Sequence, residues 1–263
     1  MAGGQPLSSA RGLPMPFAVF DIETRIDKHL LNQVFAADEG LTDEQAYERY
    51  RDETQRRRGS DFLPVTLHVP ISIAIGNVGE DHALRSVESL MPANYSEEGL
   101  VREFWSRYER FVGTMVSFNG RRFDLPVLEL AALRYGISAP IHFGESSVAR
   151  HRYSEERHFD LLDYLTNRGA VALPGGMNLL LRMIGMPGKR GMDGSRVQEY
   201  YESGRLDEIH RYCRSDVVQT YFLFLRVELM RGRISEDEYR AASQSSARFL
   251  IEEGVFAEPN GKP

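Results

Sequence analysis

The stretch that decides the fold runs from Phe17 to Thr24 and reads FAVFDIET. Its aromatic and β-branched residues predict a buried β-strand. Residues two apart on a strand face the same side, so Asp21 and Glu23 project together while Ile22 points toward the opposite, buried face. Two such carboxylates repel each other unless one is protonated or a hard cation such as Mg²⁺ or Mn²⁺ lies between them. The alternative is an ordinary strand that happens to end in acidic residues.

A second acidic segment, SFNGRRFD (residues 117–124), follows a predicted short strand and precedes a predicted helix. A carboxylate at the start of a helix is commonly a cap, so Asp124 is either a helix cap or a metal ligand. Asn119 would order the loop or contact a substrate. Arg121 and Arg122 would contact phosphate, unless they are simply solvated surface charges.

The third segment, YCRSD (residues 212–216), lies in a predicted long helix. Four residues advance about 400° on an α-helix, so Tyr212 and Asp216 share one face about one turn apart. The tyrosine hydroxyl could polarise a water molecule while the aspartate binds a metal; the alternative is a core tyrosine beside a solvated aspartate. His210 projects away from this face, which argues against a histidine general base. Cys213 is expected to be a packed apolar residue.

The remaining pattern interleaves strands with helices, and helices dominate toward the C-terminus. This order indicates an α/β domain with a mixed β-sheet flanked by helices. Residues 27–61 are an excursion between two strands, either a mobile flap or a surface decoration, because their polar helix has few apolar residues with which to dock. Strands are predicted at residues 17–23, 65–78, 82–87, 114–118 and 157–160, and helices at 42–58, 97–111, 125–135, 161–166, 177–184, 196–203, 206–231 and from about 235.

Composition predicts an intracellular soluble protein. Of the 263 residues, 42% are hydrophobic and 27% are charged, which suits one large domain with appendages. No stretch approaches the roughly 20 apolar residues that a membrane helix needs, so we expect no membrane association. Residues 1–15 are expected to be a flexible leader, since they lack the apolar segment of a signal peptide. The single cysteine, Cys213, excludes an internal disulfide and fits a reducing, cytoplasmic location.

The net charge of −6 argues against a protein that coats nucleic acid through a basic surface. It leaves open an enzyme that engages one strand end with metal ions and a few local basic residues.

Taken together, the three segments resemble the exonuclease motifs of the DEDD (DnaQ-like) superfamily. FDIET begins at Phe20, NxxxFD at Asn119 and YxxxD at Tyr212, in the order of that superfamily's motifs. The tyrosine in the third motif matches the DEDDy branch. Over roughly Phe17 to Arg231 the chain resembles stand-alone 3′–5′ exonucleases related to the proofreading domain of family B DNA polymerases.

The resemblance implies an RNase H-like fold and removal of nucleotides from a 3′ end with two divalent ions, Mg²⁺ or Mn²⁺. Asp21, Glu23, Asp124 and Asp216 would be the metal ligands, and Tyr212 would position the attacking water. The expected products are nucleoside 5′-monophosphates.

The resemblance also implies a domain division and a biological setting. Residues 16–232 would form the exonuclease domain, with residues 27–61 as an insertion or flap, and residues 233–263 would form a C-terminal helix and tail. We expect the substrate to be the 3′ end of a single DNA strand rather than RNA. The role would be DNA repair or proofreading in trans, which makes repair or replication proteins possible partners.

Further residues are candidates for contacts around the site. Thr24 ends the first motif, and Lys189 and Arg190 lie in a basic loop, so all three are predicted substrate contacts, with solvated loop charge as the alternative for the two basic residues. Asp160 is expected to cap a helix or to support the site from outside, and Phe123 to belong to the core.

Two other functions remain open from the sequence. One is an enzyme that trims RNA 3′ ends or degrades short oligoribonucleotides, because the same acids serve both substrates and sugar choice depends on contacts to the 2′ position. The other is a catalytically silent nucleic-acid-binding module on the same fold. The complete carboxylate set argues against the silent module, since nothing else would retain like charges that repel one another.

Overall fold

A computed structural model describes residues 17–93, 95–187 and 194–255. Over these residues the chain forms one sheet with the strand order β3-β2-β1-β4-β5. β1 pairs antiparallel with β2 and β2 with β3, whereas β1 pairs parallel with β4 and β4 with β5, so the predicted mixed sheet is confirmed. The strands are β1 (Phe17–Ile26), β2 (His68–Val78), β3 (Leu84–Ser89), β4 (Thr114–Ser117) and β5 (His158–Asp160).

The helices of the described ranges include every one that the sequence predicts and three that it does not. The three additional helices span residues 28–35, 140–143 and 248–252. None of these helices is long and apolar enough to cross a membrane. They are α1 (Lys28–Phe35), α2 (Asp43–Arg58), α3 (Glu97–Arg110), α4 (Asp124–Tyr135), α5 (Pro140–Phe143), α6 (Leu161–Leu165), α7 (Gly176–Met183), α8 (Val197–Glu202), α9 (Leu206–Met230), α10 (Glu236–Ser246) and α11 (Arg248–Glu252).

The central strand β1 separates two hydrophobic cores. Ala18, Phe20 and Ile22 pack against α3 and α4 on one face of the sheet. Val19 faces the opposite core, which α9 dominates. Because side chains alternate along a strand, Asp21 falls on the same face as Val19. The strand therefore presents its acidic residues to α9, as its period of two predicts.

A glycine on β2 allows α9 to lie close to the sheet. A Cβ on Gly76 would approach the Cγ1 atom of Val217 to 2.8 Å, a distance that real Cβ atoms almost never show. Val217 is fully buried and follows Asp216 directly. Close packing at Gly76 thus brings the acidic residue of α9 toward β1.

The connection between β1 and β2, defined here as residues 27–67, has a small core of its own. α2 begins with a capping box, in which Thr42 and Gln45 bond reciprocally. Leu31 of α1 and Tyr47 of α2 are buried in this core. The expectation that α2 has too few apolar residues to dock is therefore wrong, because the unpredicted α1 supplies the surface on which it packs.

The C-terminal helices extend the main core. Ala242 of α10 and Phe249 of α11 are buried in the same cluster as α9. The Ser246 hydroxyl accepts a hydrogen bond of 2.9 Å from the backbone N–H of Leu84 at the start of β3. Ser235 and Glu238 form a capping box at the start of α10. The segment after α9 is thus packed onto the sheet as far as the structure describes it.

Candidate metal centre

Three carboxylates from β1 and α9 meet at one point. Asp21, Glu23 and Asp216 each offer an oxygen, and these atoms all lie within 4.8 Å of one another. Glu23 and Asp216 are buried and Asp21 is partly exposed. Burying like charges together is unfavourable unless protons or a cation compensate them. Oxygen donors of this kind suit a hard divalent cation, so the cluster fits a metal site.

Asp124 lies beside this cluster but outside the group of three. It is the first residue of α4, and its Oδ1 atom accepts a hydrogen bond of 3.2 Å from the backbone N–H of Ile22. This bond ties the start of α4 to the strand between Asp21 and Glu23. Burial raises the pKa of Asp124 to about 7, and the charges of Asp160 and Asp216 act in the same direction. The cap position itself belongs to Phe123, which makes no side-chain cap.

Tyr212 is held in a small apolar cluster at the start of α9. It is 8% exposed and packs with Ile71 of β2 and with Val197 and Tyr200 of α8. A Cβ placed on Gly194 would lie 4.0 Å from its hydroxyl oxygen. Gly194 in turn lines a groove that also contains Glu23. The tyrosine hydroxyl therefore lies near Gly194, one of the residues that line the groove beside Glu23.

Cys213 contacts the acidic cluster directly, which sequence reasoning did not detect. Its thiol donates a hydrogen bond of 3.3 Å to the backbone oxygen of Asp21, and its sulfur lies 3.6 Å from the Oδ2 atom of the same residue. Burial raises the pKa of Cys213 well above its usual range, and the charges of Asp21 and Glu23 add to this effect. The residue is thus a buried neutral thiol, as the sequence predicts, and it also helps to seat Asp21.

The loop that leads to Asp124 is organised by Asp160. This carboxylate accepts hydrogen bonds from the backbone N–H groups of Asn119, at 3.0 Å, and Arg121, at 2.8 Å, and it also caps α6. The predicted helix-cap role of Asp160 is thereby confirmed. A Cβ on Gly120 would lie 2.2 Å from the Ser117 hydroxyl oxygen, so only glycine fits there. Asn119 has a φ of 71°, in the left-handed region that asparagine tolerates better than most residues.

The two arginines that the sequence predicts to bind phosphate lie away from the groove beside Glu23. The guanidinium of Arg121 donates to the backbone oxygens of His151, at 3.3 Å, and Ser154, at 3.2 Å, and lines a separate cavity of about 240 Å³. Arg122 is exposed and lies against Gly169. The structure therefore does not bring either arginine to the groove beside Glu23. The predicted substrate contacts Lys189 and Arg190 lie outside the described residues.

Thr24 lines the groove and is fixed by His68. The hydroxyl oxygen of Thr24 lies 2.7 Å from His68 Nδ1, and His68 Nε2 lies 3.2 Å from the backbone oxygen of Leu63. Burial lowers the pKa of His68, which favours the neutral ring. Since a carbonyl can only accept, Nε2 carries the proton and Nδ1 accepts from Thr24. Phe123, expected in the core, is only partly buried and lines the groove.

The mixed sheet with helices on both faces is the RNase H-like fold of exonucleases. A family model described as a predicted 3′–5′ exonuclease related to the exonuclease domain of PolB matches residues 60–258. The chain belongs to this family. The match includes the segments that carry Asp124 and Asp216, whereas β1, with Asp21 and Glu23, lies before it.

A solved structure supports the fold. The family B DNA polymerase from the hyperthermophilic archaeon Pyrobaculum calidifontis matches with a TM-score of 0.51 and 16% sequence identity. The match covers 92% of this chain and 27% of the polymerase chain, so this chain corresponds to about a quarter of that protein. No curated protein matched the chain in sequence.

Proposed function

We propose that the chain is a metal-dependent 3′–5′ exonuclease of the DEDDy type that removes nucleotides from the end of a single DNA strand. The observation that carries the proposal is the convergence of Asp21, Glu23 and Asp216, whose carboxylate oxygens lie within 4.8 Å of one another although α9 is remote from β1 in sequence. Membership of a family of predicted exonucleases supports a catalytic role for this cluster.

The residues that would hold two divalent ions, Mg²⁺ or Mn²⁺, are Asp21, Glu23, Asp216 and the adjacent Asp124. Bound divalent ions would lower the pKa of an attacking water and neutralise charge on the departing 3′ oxygen. Hydrogen bonds within the protein hold two of these carboxylate residues in place. Asp124 is anchored to the backbone of Ile22, and the thiol of Cys213 supports the Asp21 backbone.

The side chains around the cluster would position the reacting groups. Tyr212 would orient the attacking water through its hydroxyl, because the ring is fixed by apolar packing and the hydroxyl lies near Gly194 of the groove lining. Thr24 would contact the substrate from the groove wall, where its hydrogen bond to His68 fixes its rotamer. The loop containing Asn119 would order the site next to Asp124 or contact the substrate. The products would be nucleoside 5′-monophosphates.

The biological setting is part of the same proposal. An exonuclease related to a polymerase proofreading domain suits DNA repair or proofreading in trans, with repair or replication proteins as partners. Residues 16–232 would be the catalytic domain, and residues 233–263 a C-terminal segment that packs on it through α10 and α11. A single buried cysteine fits a cytoplasmic location, since the chain has no disulfide to maintain.

The test is digestion of matched 5′-labelled DNA and RNA oligonucleotides, single- and double-stranded, with Mg²⁺, Mn²⁺ or EDTA. We expect a ladder that shortens from the 3′ end of single-stranded DNA, only when a divalent ion is present. Faster shortening of RNA would assign the chain to RNA trimming. Binding without any cleavage under all metal conditions would contradict the proposal and favour a silent module.

Replacing Tyr212 with Phe should separate water positioning from metal binding. We expect kcat to fall about 10- to 100-fold, since a misplaced nucleophile is costly even when the other groups remain in place. The apparent affinity for Mn²⁺, measured by thermal shift, should stay the same. Tyr153→Phe, which changes a tyrosine 69% exposed outside the groove, is the matched control. Equal losses of rate and metal affinity would instead make Tyr212 a structural residue or a ligand.

A further inference from the structure

The groove beside the acidic cluster has a second wall that the catalytic motifs do not explain. It encloses about 450 Å³, within the range of small-molecule and nucleotide sites. Glu23 and Thr24 of β1 line one side. Tyr47, Arg51 and Phe62, which line the other side, all come from the connection between β1 and β2. A strand that reaches Glu23 through this groove would therefore lie against this connection.

The connection is built to hold its position. Leu31 is fully buried in its core. Asp27 pairs with Arg134 of α4 at 2.8 Å, and Lys28 pairs with Glu202 of α8. These contacts fasten the connection to α4 and α8, so it is held against the rest of the domain.

Phe62 is an exposed part of this wall. Its side chain is 54% exposed at the edge of the groove. Its ring stacks on His68 at a centroid distance of 5.2 Å and meets the edge of Phe123 at 5.4 Å. His68 also contacts Phe123 at 5.0 Å, so the three rings support one another. One face of Phe62 is thereby held while much of the side chain remains accessible.

Arg51 supplies a positive charge to the same wall. Its guanidinium lies over the Tyr47 ring, 5.5 Å from the centroid. The carboxylates that share the groove with it are Glu23 and Asp61. An accessible aromatic ring together with a nearby cation is the arrangement by which proteins bind unpaired nucleic acid, since bases stack on the ring and phosphates attract the cation.

We propose that the connection between β1 and β2 is a binding wall for single-stranded nucleic acid, on which Phe62 stacks against an unpaired base and Arg51 contacts the backbone. The inference rests on the proposed function for its choice of ligand. It deepens that function by assigning strand recognition to a segment outside the catalytic motifs. A base inside a duplex already stacks on its neighbours, so the wall favours single strands over duplexes.

The test measures binding of a fluorescein-labelled single-stranded oligonucleotide by anisotropy in EDTA, and then KM and kcat with Mn²⁺. Phe62→Ala should weaken binding about 10-fold, in line with the loss of one stacked base, and should raise KM more than it changes kcat. Phe62→Trp should bind within about twofold of the wild type. Arg51→Gln should reduce the slope of log affinity against log salt by about 0.7.

Matched controls lie on the same connection. Phe35→Ala removes another exposed ring, one that packs on Tyr50 away from the groove, and Arg57→Gln removes another arginine of α2. Both should bind like the wild type. If Phe62→Ala and Phe35→Ala bind the oligonucleotide equally well, the proposed binding wall is contradicted, even when the protein digests DNA. If Phe62→Ala weakens binding but neither the wild type nor any variant digests an oligonucleotide, the binding wall is supported and the proposed exonuclease activity is contradicted.

Discussion

Asp216→Asn should reduce the rate of 3′-end hydrolysis at least about 1,000-fold. The substitution keeps the shape of the side chain and one acceptor oxygen but removes the charge that a divalent ion needs. Asp216 is 3% exposed and shares its site with Asp21 and Glu23, so no solvent-exposed acid can take its place. Loss of a metal-bound transition state costs several kcal/mol, and about 4 kcal/mol corresponds to this factor.

The measurement is the initial rate on a 5′-labelled single-stranded oligonucleotide at saturating Mn²⁺. Asp21→Asn should show a loss of the same order, because it removes another member of the cluster. Asp237→Asn is the control, since that side chain is 92% exposed on α10 and pairs with Arg240. Circular dichroism should show all three variants folded. Near-normal activity of Asp216→Asn would place the catalytic centre elsewhere.

The residues of this cluster could be predicted because local geometry determines them. The period of a strand puts Asp21 and Glu23 on one side, and the structure places that side toward α9. The four-residue spacing on α9 orders Tyr212 and Asp216 in the same way. Their meeting depends on close packing of α9 at Gly76, which no spacing reveals, and it is the resemblance to the DEDD superfamily that predicts it. Their roles in catalysis remain predictions.

Contacts between segments remote in sequence could not be predicted. Phe123, just before α4, is remote in sequence from Phe62 and His68, and no spacing in the chain reveals that its ring meets theirs. The sequence does not reveal α1, because the helix is short. Its core partners come from other segments, such as Tyr47 of α2 and Leu67 just before β2. The position of Arg121 beside another arginine in the second motif predicts a phosphate contact. Its guanidinium instead satisfies backbone carbonyls of a neighbouring loop.

Metal-free protein should lose stability as the pH rises, and Asp124 should account for much of the loss. The fold raises the pKa of this carboxyl from its ordinary value of 3.8 to about 7, so the folded chain binds the proton more tightly than the unfolded chain. The contribution is therefore fully present below about pH 4 and is lost as the pH rises through about 7. A shift of three pKa units corresponds to about 4 kcal/mol.

Asp124→Asn should remove this dependence, because its neutral amide keeps an oxygen that can accept from the backbone N–H of Ile22. In EDTA at pH 8 we expect the variant to unfold about 10 °C above the wild type, and the difference should nearly vanish at pH 4. Mn²⁺ should reverse the order at pH 8, since only the wild type has the full set of charges for the ion to compensate. Thermal unfolding of both proteins at the two pH values, with and without Mn²⁺, is the measurement. A difference that is the same at pH 4 and pH 8 would mean that the buried charge of Asp124 is already compensated within the chain, and the acidic cluster would then have no need of a metal.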